Sequence, residues 1–502
     1  MCGSSPERMA SVTKILLKSW GHHSCGSSVT KIWADYEVAT KHSRMQLRVT
    51  EETEHRGMPQ QTLQHPVKTI ALAALPLYVT MIASSAGALV DTAVLGRHGT
   101  ASLAALGVTL AIYSPATATV AGAMRGVMPF VAAKDDDPEA LLPLVRDGMW
   151  LGISTGLLGA LAVGAVPLIG RVSGVPDTTL AQLGVLPALL ACSVLVAAIG
   201  NAATSTLVGL GRSRLVMRAG LSGTATAVML SLVLVGGVGS WNGLGAPGAG
   251  IAMLCSSTIN ATIAHWVLRR STILAGRRLG LGRPHGRALL ALAGVGLPLA
   301  ATVLIKFAVL GVLTFAAARV SSSTAAAHSI SVSLVNVMFT AAVAIGQATI
   351  PLMSPYLKTR DVGGVRRGVT ASMKVVLIAV ITLSLVLFLF RSSAVSLFTH
   401  DPKPRDLVIG MIPLILVVVT TDALQAVLGF GLIAIKDTVP SLAVFAVCYG
   451  VLALVAVPVA AAGGFSALWT ALACANALLC VGQAWFFRQR SRRLRDRALV
   501  PA

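Results

Sequence analysis

From Lys68 onward, apolar positions neither alternate nor recur on one face; they come in long, nearly unbroken runs. Twelve of these runs are long enough to cross hydrocarbon about 30 Å thick, which takes roughly 20 residues of helix. They cover residues 69–95, 102–130, 148–170, 179–210, 215–238, 247–268, 288–318, 324–354, 370–390, 407–434, 438–461 and 464–487. Helices that are apolar all round lie in a membrane or a deep core. The pattern therefore predicts an all-α polytopic membrane protein with twelve transmembrane helices. Residues 1–67 break it. They are polar and mixed in charge, and they lack the apolar core behind a basic start that marks a cleaved signal. This extension is expected to be disordered, since it holds too little apolar surface to offset the entropy of ordering. Residues 12–20 alone carry the pattern of a short amphipathic helix, and Met58 offers an alternative start.

The runs also repeat. Leu75-Pro-Leu opens run 1 and Leu297-Pro-Leu opens run 7, an offset of 222 residues. The same offset carries Thr92 onto Thr314, Arg97 onto Arg319, Ala104-Ala105 onto Ala326-Ala327 and Pro129 onto Pro351. Two related six-helix bundles follow, and because six is even both enter the membrane from one side. Such a repeat is parallel, about an axis along the membrane normal. The expected organisation is a first lobe over 68–270, a basic linker over 271–287, a second lobe over 288–488 and a basic tail over 489–502.

A charged fraction of 12% and a mean hydropathy of +0.78 exclude a soluble enzyme. A net charge of +21 suggests nucleic acid at first sight. The basic residues, however, lie between the runs and at the C-terminus, with no interleaved aromatics, so no nucleic-acid partner is expected. Arg269, Arg270, Arg277, Arg278, Arg283 and Arg287 crowd the central connection, and six more arginines stand between Arg488 and Arg497. The positive-inside rule then places both termini in the cytoplasm of a protein of the cell membrane. The seven cysteines form no CxxC pair, and five fall inside apolar runs as small hydrophobes, so neither a disulfide framework nor a metal is expected. There is no GxxxxGK[ST] motif, so ATP is not the energy source on this chain. No paired acids, histidine cluster or nucleophile constellation lies within the runs; neither catalysis nor a cofactor is expected.

The few polar residues inside the runs carry the candidate chemistry. Asp91 is the only charge in run 1, and a carboxylate in hydrocarbon costs at least ~2.5 kcal/mol. It lies five residues before Gly96, about 7 Å along a helix, so the alternative is a carboxylate wetted at the helix end. Thr224, Thr226 and Ser231 on run 5 offer neutral oxygens. Lys306 on run 7 is too deep to snorkel. It is expected to pair with Asp422 on run 10, one turn from Gln425, each charge offsetting the desolvation of the other. The alternative is that this pair only fixes helix register. Arg125 is read as an anchor snorkelling at the end of run 2. Asn201, Ser256, Asn260, His328 and Asn336 either line a cleft or make ordinary interhelical hydrogen bonds.

Together these features resemble the multidrug and toxic compound extrusion (MATE) family. The resemblance rests on Asp91-Thr-Ala-Val-Leu-Gly-Arg-His-Gly99 with Leu103-Ala-Ala-Leu-Gly107, and on their counterpart Ala325-Ala-Ala-His-Ser-Ile330. Gly209-Leu-Gly-Arg-Ser-Arg214, Asp422-Ala-Leu-Gln425 and Lys436-Asp-Thr-Val-Pro440 add to it. It implies cation-driven antiport that exports small amphipathic, often cationic compounds through a cleft between the lobes, by a monomer in the bilayer. Asp91 matches the carboxylate to which the family assigns cation or proton coupling. Run 5 lacks the Asn and Asp that accompany that carboxylate in many members. One formal charge makes a weak sodium site, so protons are expected and sodium is the alternative. Lys306 stands eight residues after Pro298, where one branch carries Glu; the branch named for DNA-damage-inducible F protein often has a basic residue there. A flippase for lipid-linked glycans, from the same broad superfamily, is the other reading.

Overall fold

The computed structural model describes residues 66–98, 100–237, 243–270, 279–399 and 401–499. The extension expected over 1–67 lies outside them, apart from its last two residues, which already belong to the first helix. The spans are α1 Pro66–His98, α2 Thr100–Arg125, α3 Pro138–Gly164, α4 Leu186–Gly209, α5 Ser213–Leu234 and α6 Ala246–Arg270. They continue with α7 Gly286–Val320, α8 Ser322–Lys358, α9 Val362–Leu389, α10 Pro402–Ala434 and the helical stretch Val439–Leu499. That last stretch has 61 residues, or ~92 Å at the helical rise, about three hydrocarbon thicknesses. Gly464, at φ 63° and ψ −148°, breaks it into α11 (439–463) and α12 (465–499). Only glycine readily takes that backbone conformation. Twelve spans result among the described residues.

Local chemistry sets the ends where they differ from the apolar runs. Asp137 accepts hydrogen bonds from the amides of Glu139 and Ala140, so α3 begins ten residues before its apolar run. Asp361 and Asp401 cap α9 and α10 in the same way, and Ser321 caps α8. These caps satisfy amides that have no partner inside the helix. The second run ends as two pieces, α2 and the short helix Met128–Ala132. The third bends by 46° into Val166–Val172. The expected tail is helical as far as Leu499, because α12 continues past the apolar run. Its start is tied down: Arg366 donates to Ser491 Oγ and Arg488 O, and Arg490 pairs with Asp437.

The spans form two lobes, α1–α6 and α7–α12, packed alike. In the first, α3 packs on α4, α4 and α5 on α6, and α1 on α5; in the second, α9 packs on α10, and both α7 and α10 on the α11–α12 unit. Between lobes, α1 meets α8 and α2 meets α7. Advancing each helix number by six turns one contact into the other, as a two-fold axis requires.

The axis is marked by residues that touch their own counterparts. Ser354 Oγ donates to Ala132 O, and Lys358 Nζ donates to Asp136 at 2.6 and 2.8 Å; in both pairs the partners are 222 residues apart. Beside them α2 and α7 cross in backbone contact, a Cβ on Gly126 falling 2.6 Å from Gly296 Cα. Small residues permit such crossings. All this lies at the end that carries the basic connections, where the large buried core runs through both lobes. The other half of the first lobe has a separate core that includes Leu95, Leu106, Val163, Leu190 and Val235 and receives no described residue of the second lobe. The lobes are therefore joined at the basic end and distinct at the opposite one.

Candidate functional site

The first-lobe centre is built on α1 and α5. Asp91 is 8% exposed, and its Oδ1 accepts a hydrogen bond from Ser231 Oγ on α5 at 2.5 Å. Close packing brings the helices together: Gly220 leaves no room for a Cβ beside Thr80, and Gly87 sits against Thr224. Thr224 itself lies two turns before Ser231 and meets Ser84 at 3.4 Å, away from the carboxylate. Thr226 donates to Ser222 O of its own helix. Of the three hydroxyls grouped with Asp91 from the sequence, the structure brings only Ser231 to it. Ser256 donates to Gly223 O and so ties α6 to α5, while Asn260 packs over Gly223 with its Oδ1 buried and unpartnered. Asn201 stands on α4, half-buried, its carbonyl accepting from Thr204.

Sequence reasoning missed a polar chain in the same lobe. Tyr113 on α2 lies 3.2 Å from Ser193 on α4, which lies 2.9 Å from Ser257 on α6. The signal was available: the chain has only five tyrosines, and a phenol inside an apolar run must find a partner for its hydroxyl.

In the second lobe, Lys306 Nζ donates to both oxygens of Asp422, at 2.9 and 2.7 Å, and Gln425 Nε2 donates to Asp422 Oδ1 at 2.9 Å. The Lys306 ammonium also stands 3.8 Å from the Phe339 ring centroid. A charge pair in low dielectric holds only if the remaining lone pairs find donors, and Gln425 supplies one. A cavity of about 20 Å³ adjoins the pair and touches Asn336, Tyr449, Trp469 and Asn476. Tyr449 donates to Asn476 Oδ1 at 2.8 Å. His328 stands edge-on to Trp469, with ring centroids 5.8 Å apart; both its ring nitrogens and Trp469 Nε1 are buried without a hydrogen-bond partner.

The two centres are not equivalent by symmetry. Under the 222-residue offset Lys306 corresponds to Ser84 and Asp91 to Leu313. Along the first helix of its lobe, Asp91 is seven residues, about 10 Å, further from the basic end than the lysine level. One lobe thus holds a single acid near the separated end, and the other an internally neutralised pair near mid-span.

Arg125 corrects the sequence reading. It is no lipid-facing anchor: its guanidinium faces the Phe430 ring of α10, 6.0 Å from the centroid, across the seam between lobes. Gly346 makes room for that ring, since a Cβ there would fall 2.0 Å from Phe430 Cδ2. Asp147, at the edge of the third run, is 1% exposed and accepts from the amide of His285 at 2.9 Å. It fastens the described part of the linker, 279–285, to α3, where Trp150 also donates to Gly282 O.

Two six-helix lobes about a common axis, with a buried carboxylate inside a span of each, Asp91 and Asp422, define a membrane transporter of the two-lobe class. The MatE family profile matches residues 76–233 and 298–459, segments whose starts lie 222 residues apart, and the chain belongs to this family. Among curated relatives, the "Probable multidrug resistance protein NorM" of Aromatoleum aromaticum is 27% identical over 449 residues, 84% of this chain and 93% of the relative. The protein of that name from Deinococcus radiodurans is 27% identical over 413 residues, 79% and 89% of the two chains. Among solved structures, one described as "Outward-facing conformation of a multidrug resistance MATE family transporter of the MOP superfamily" superposes with a TM-score of 0.78 at 18% identity, covering 86% of this chain and 96% of its own. A MOP superfamily transporter from Pyrococcus furiosus gives 0.78 at 17% identity, covering 86% and 97%.

Proposed function

We propose that this protein is a proton-driven efflux antiporter. It exports small amphipathic, often cationic compounds by alternating access between its lobes, with Asp91 carrying the proton. The reading rests on one observation above all: among the described residues, the buried carboxylate of Asp91 is met by one hydroxyl, that of Ser231. A hard cation wants several oxygens and usually more than one formal charge, whereas a proton needs only one carboxylate that is alternately wetted and buried. Ionised, Asp91 accepts the Ser231 bond; protonated, it gains a donor and loses the cost of a buried charge. The two forms favour different packings of α1 against α5. Proton and substrate must then stabilise opposite packings, because a ligand shifts an equilibrium only by its differential affinity.

Both termini and the basic connections lie in the cytoplasm on this reading, so the lobes part toward the outside. The working unit is a monomer, with lobes 68–270 and 288–488. The basic residue Lys306, eight residues after Pro298, supports reading the chain as nearest the branch named for DNA-damage-inducible F protein. Asn201, Ser256, Asn260, His328 and Asn336 are assigned to the cleft walls. The test is transport in vesicles with an imposed pH or sodium gradient. Export by the wild type should follow the pH gradient and ignore sodium. Asp91→Asn should insert normally and bind substrate, yet lose gradient-driven export. Sodium-driven export without a pH gradient would overturn the proton assignment, and full export by Asp91→Asn would overturn the role of Asp91.

A further inference from the structure

The basic end of the seam contains a cavity of about 280 Å³ with walls from both lobes: Phe130, Lys134, Leu144 and the carboxylate Asp147 from the first, His285 and Ala288 at the start of α7, and Lys436 just past the end of α10. Lys436 Nζ stands 4.2 Å from the Phe130 ring centroid, across the lobe boundary. Neither Lys134 nor Lys436 has a carboxylate partner among the described residues, because the nearby acids are engaged elsewhere. Asp135 and Asp136 hold Lys358, Asp137 caps α3, Asp147 holds His285 and Asp437 holds Arg490. Two ammonium groups from different lobes therefore line one cavity. Burial, and then the charge of Lys134, push the Lys436 amine below its ordinary range. Lys436 also sits at φ 59°, the left-handed conformation in which a helix usually ends with glycine.

We propose that this cavity is a binding site for the phosphate headgroup of an anionic phospholipid from the adjoining leaflet, held between Lys134 and Lys436. Two unpaired cations facing one small cavity fit a phosphate, which would relieve their repulsion. The apolar walls of Phe130, Leu144 and Ala288 lie near the ends of spans and suit the glycerol and upper acyl chain. Basic pockets between spans on the cytoplasmic side recognise anionic lipid in this way. Because the cations belong to different lobes, the site is complete only while this end is closed. By linkage, the lipid stabilises the joined arrangement and favours access from the opposite side. This holds whichever ion drives transport.

The test uses the full chain in nanodiscs of phosphatidylcholine, with and without phosphatidylglycerol. Lipid retained by the protein is read by native mass spectrometry, and the interlobe distance at the basic end by a spin-label pair. Wild type should retain phosphatidylglycerol over phosphatidylcholine and shift toward the short distance when it is present. Lys134→Gln or Lys436→Gln should each lower the affinity about fivefold, the double variant should show no preference, and the double arginine variant should keep it. An unchanged preference in the double glutamine variant, or none in wild type, overturns the site. Inorganic phosphate closing the seam as well as phosphatidylglycerol would overturn the lipid assignment in favour of a free anion.

Discussion

Lys306 and Asp422 satisfy one another, so the first consequence of changing either is a stranded charge. Lys306→Ala should destabilise the protein by roughly 3–5 kcal/mol, the usual result of removing one partner of a buried pair. Lys306→Ala with Asp422→Ala should cost less than that single change. Unfolding midpoints in detergent measure both, and additive losses would show that the contact carries no energy. This pair was legible in the sequence because two opposite charges deep in apolar runs leave few alternatives. The first-lobe set was legible only in part. Thr224 and Ser231 share a face of α5, so sequence spacing cannot say which of them stands level with Asp91; the register of α1 against α5 does. Arg125 was misread for a related reason. Its position near the end of a run fits a snorkelling anchor, and only the packing of α10 against Gly346 on α8 shows that an aromatic ring waits for it across the seam.

At the scale of elements, glycines decide where helices stop and how closely they cross. Gly464→Ala should cost about 1–3 kcal/mol, because its backbone conformation is closed to side chains and a straightened helix would erase the boundary between α11 and α12. Thermal midpoints of the two proteins check this. Gly126→Leu acts differently: the new side chain would meet the backbone of α7 and nothing flexible. The expected result is a folded protein whose lobes are parted at the basic end, seen as a longer spin-label distance there and a lower rate of export. The twelve runs and their order were readable from hydropathy alone, since backbone polar groups in hydrocarbon leave only helices and closed barrels, and unbroken apolar runs of about 20 residues fit only the helix. Their ends were not. Caps such as Asp137 extend α3 into polar sequence, and the docking of Arg366 on the start of the tail carries α12 beyond its apolar stretch.

At the scale of the molecule, the seam at the basic end works as a latch whose response to acid follows from its carboxylates. Hydrogen bonds from Asp135 and then Lys358 hold Asp136 below the usual carboxylate range, while burial, and then Asp136, push Asp135 above it. A depressed acid contributes stability above its unfolded value, near 3.9, and loses it only as pH falls through the lower folded value. Asp135 has the opposite sign, its contribution present at low pH and lost as pH rises through its raised value. The Lys358–Asp136 contact should therefore survive from pH 8 to pH 5. A change of interlobe distance within that window that survives Asp135→Asn should vanish in Asp91→Asn, whereas Asp136→Ala should shift the distance at every pH. The axis itself sets a further condition. A residue on a two-fold axis faces its own counterpart, so in a symmetric dimer of identical halves Asp136 would meet a second aspartate, or Lys358 a second lysine. Attraction at that point requires the two copies to have diverged. If residues 1–270 and 271–502 are produced as separate polypeptides, they should pair with each other and reject self-pairing, a heterodimer hidden inside one gene product.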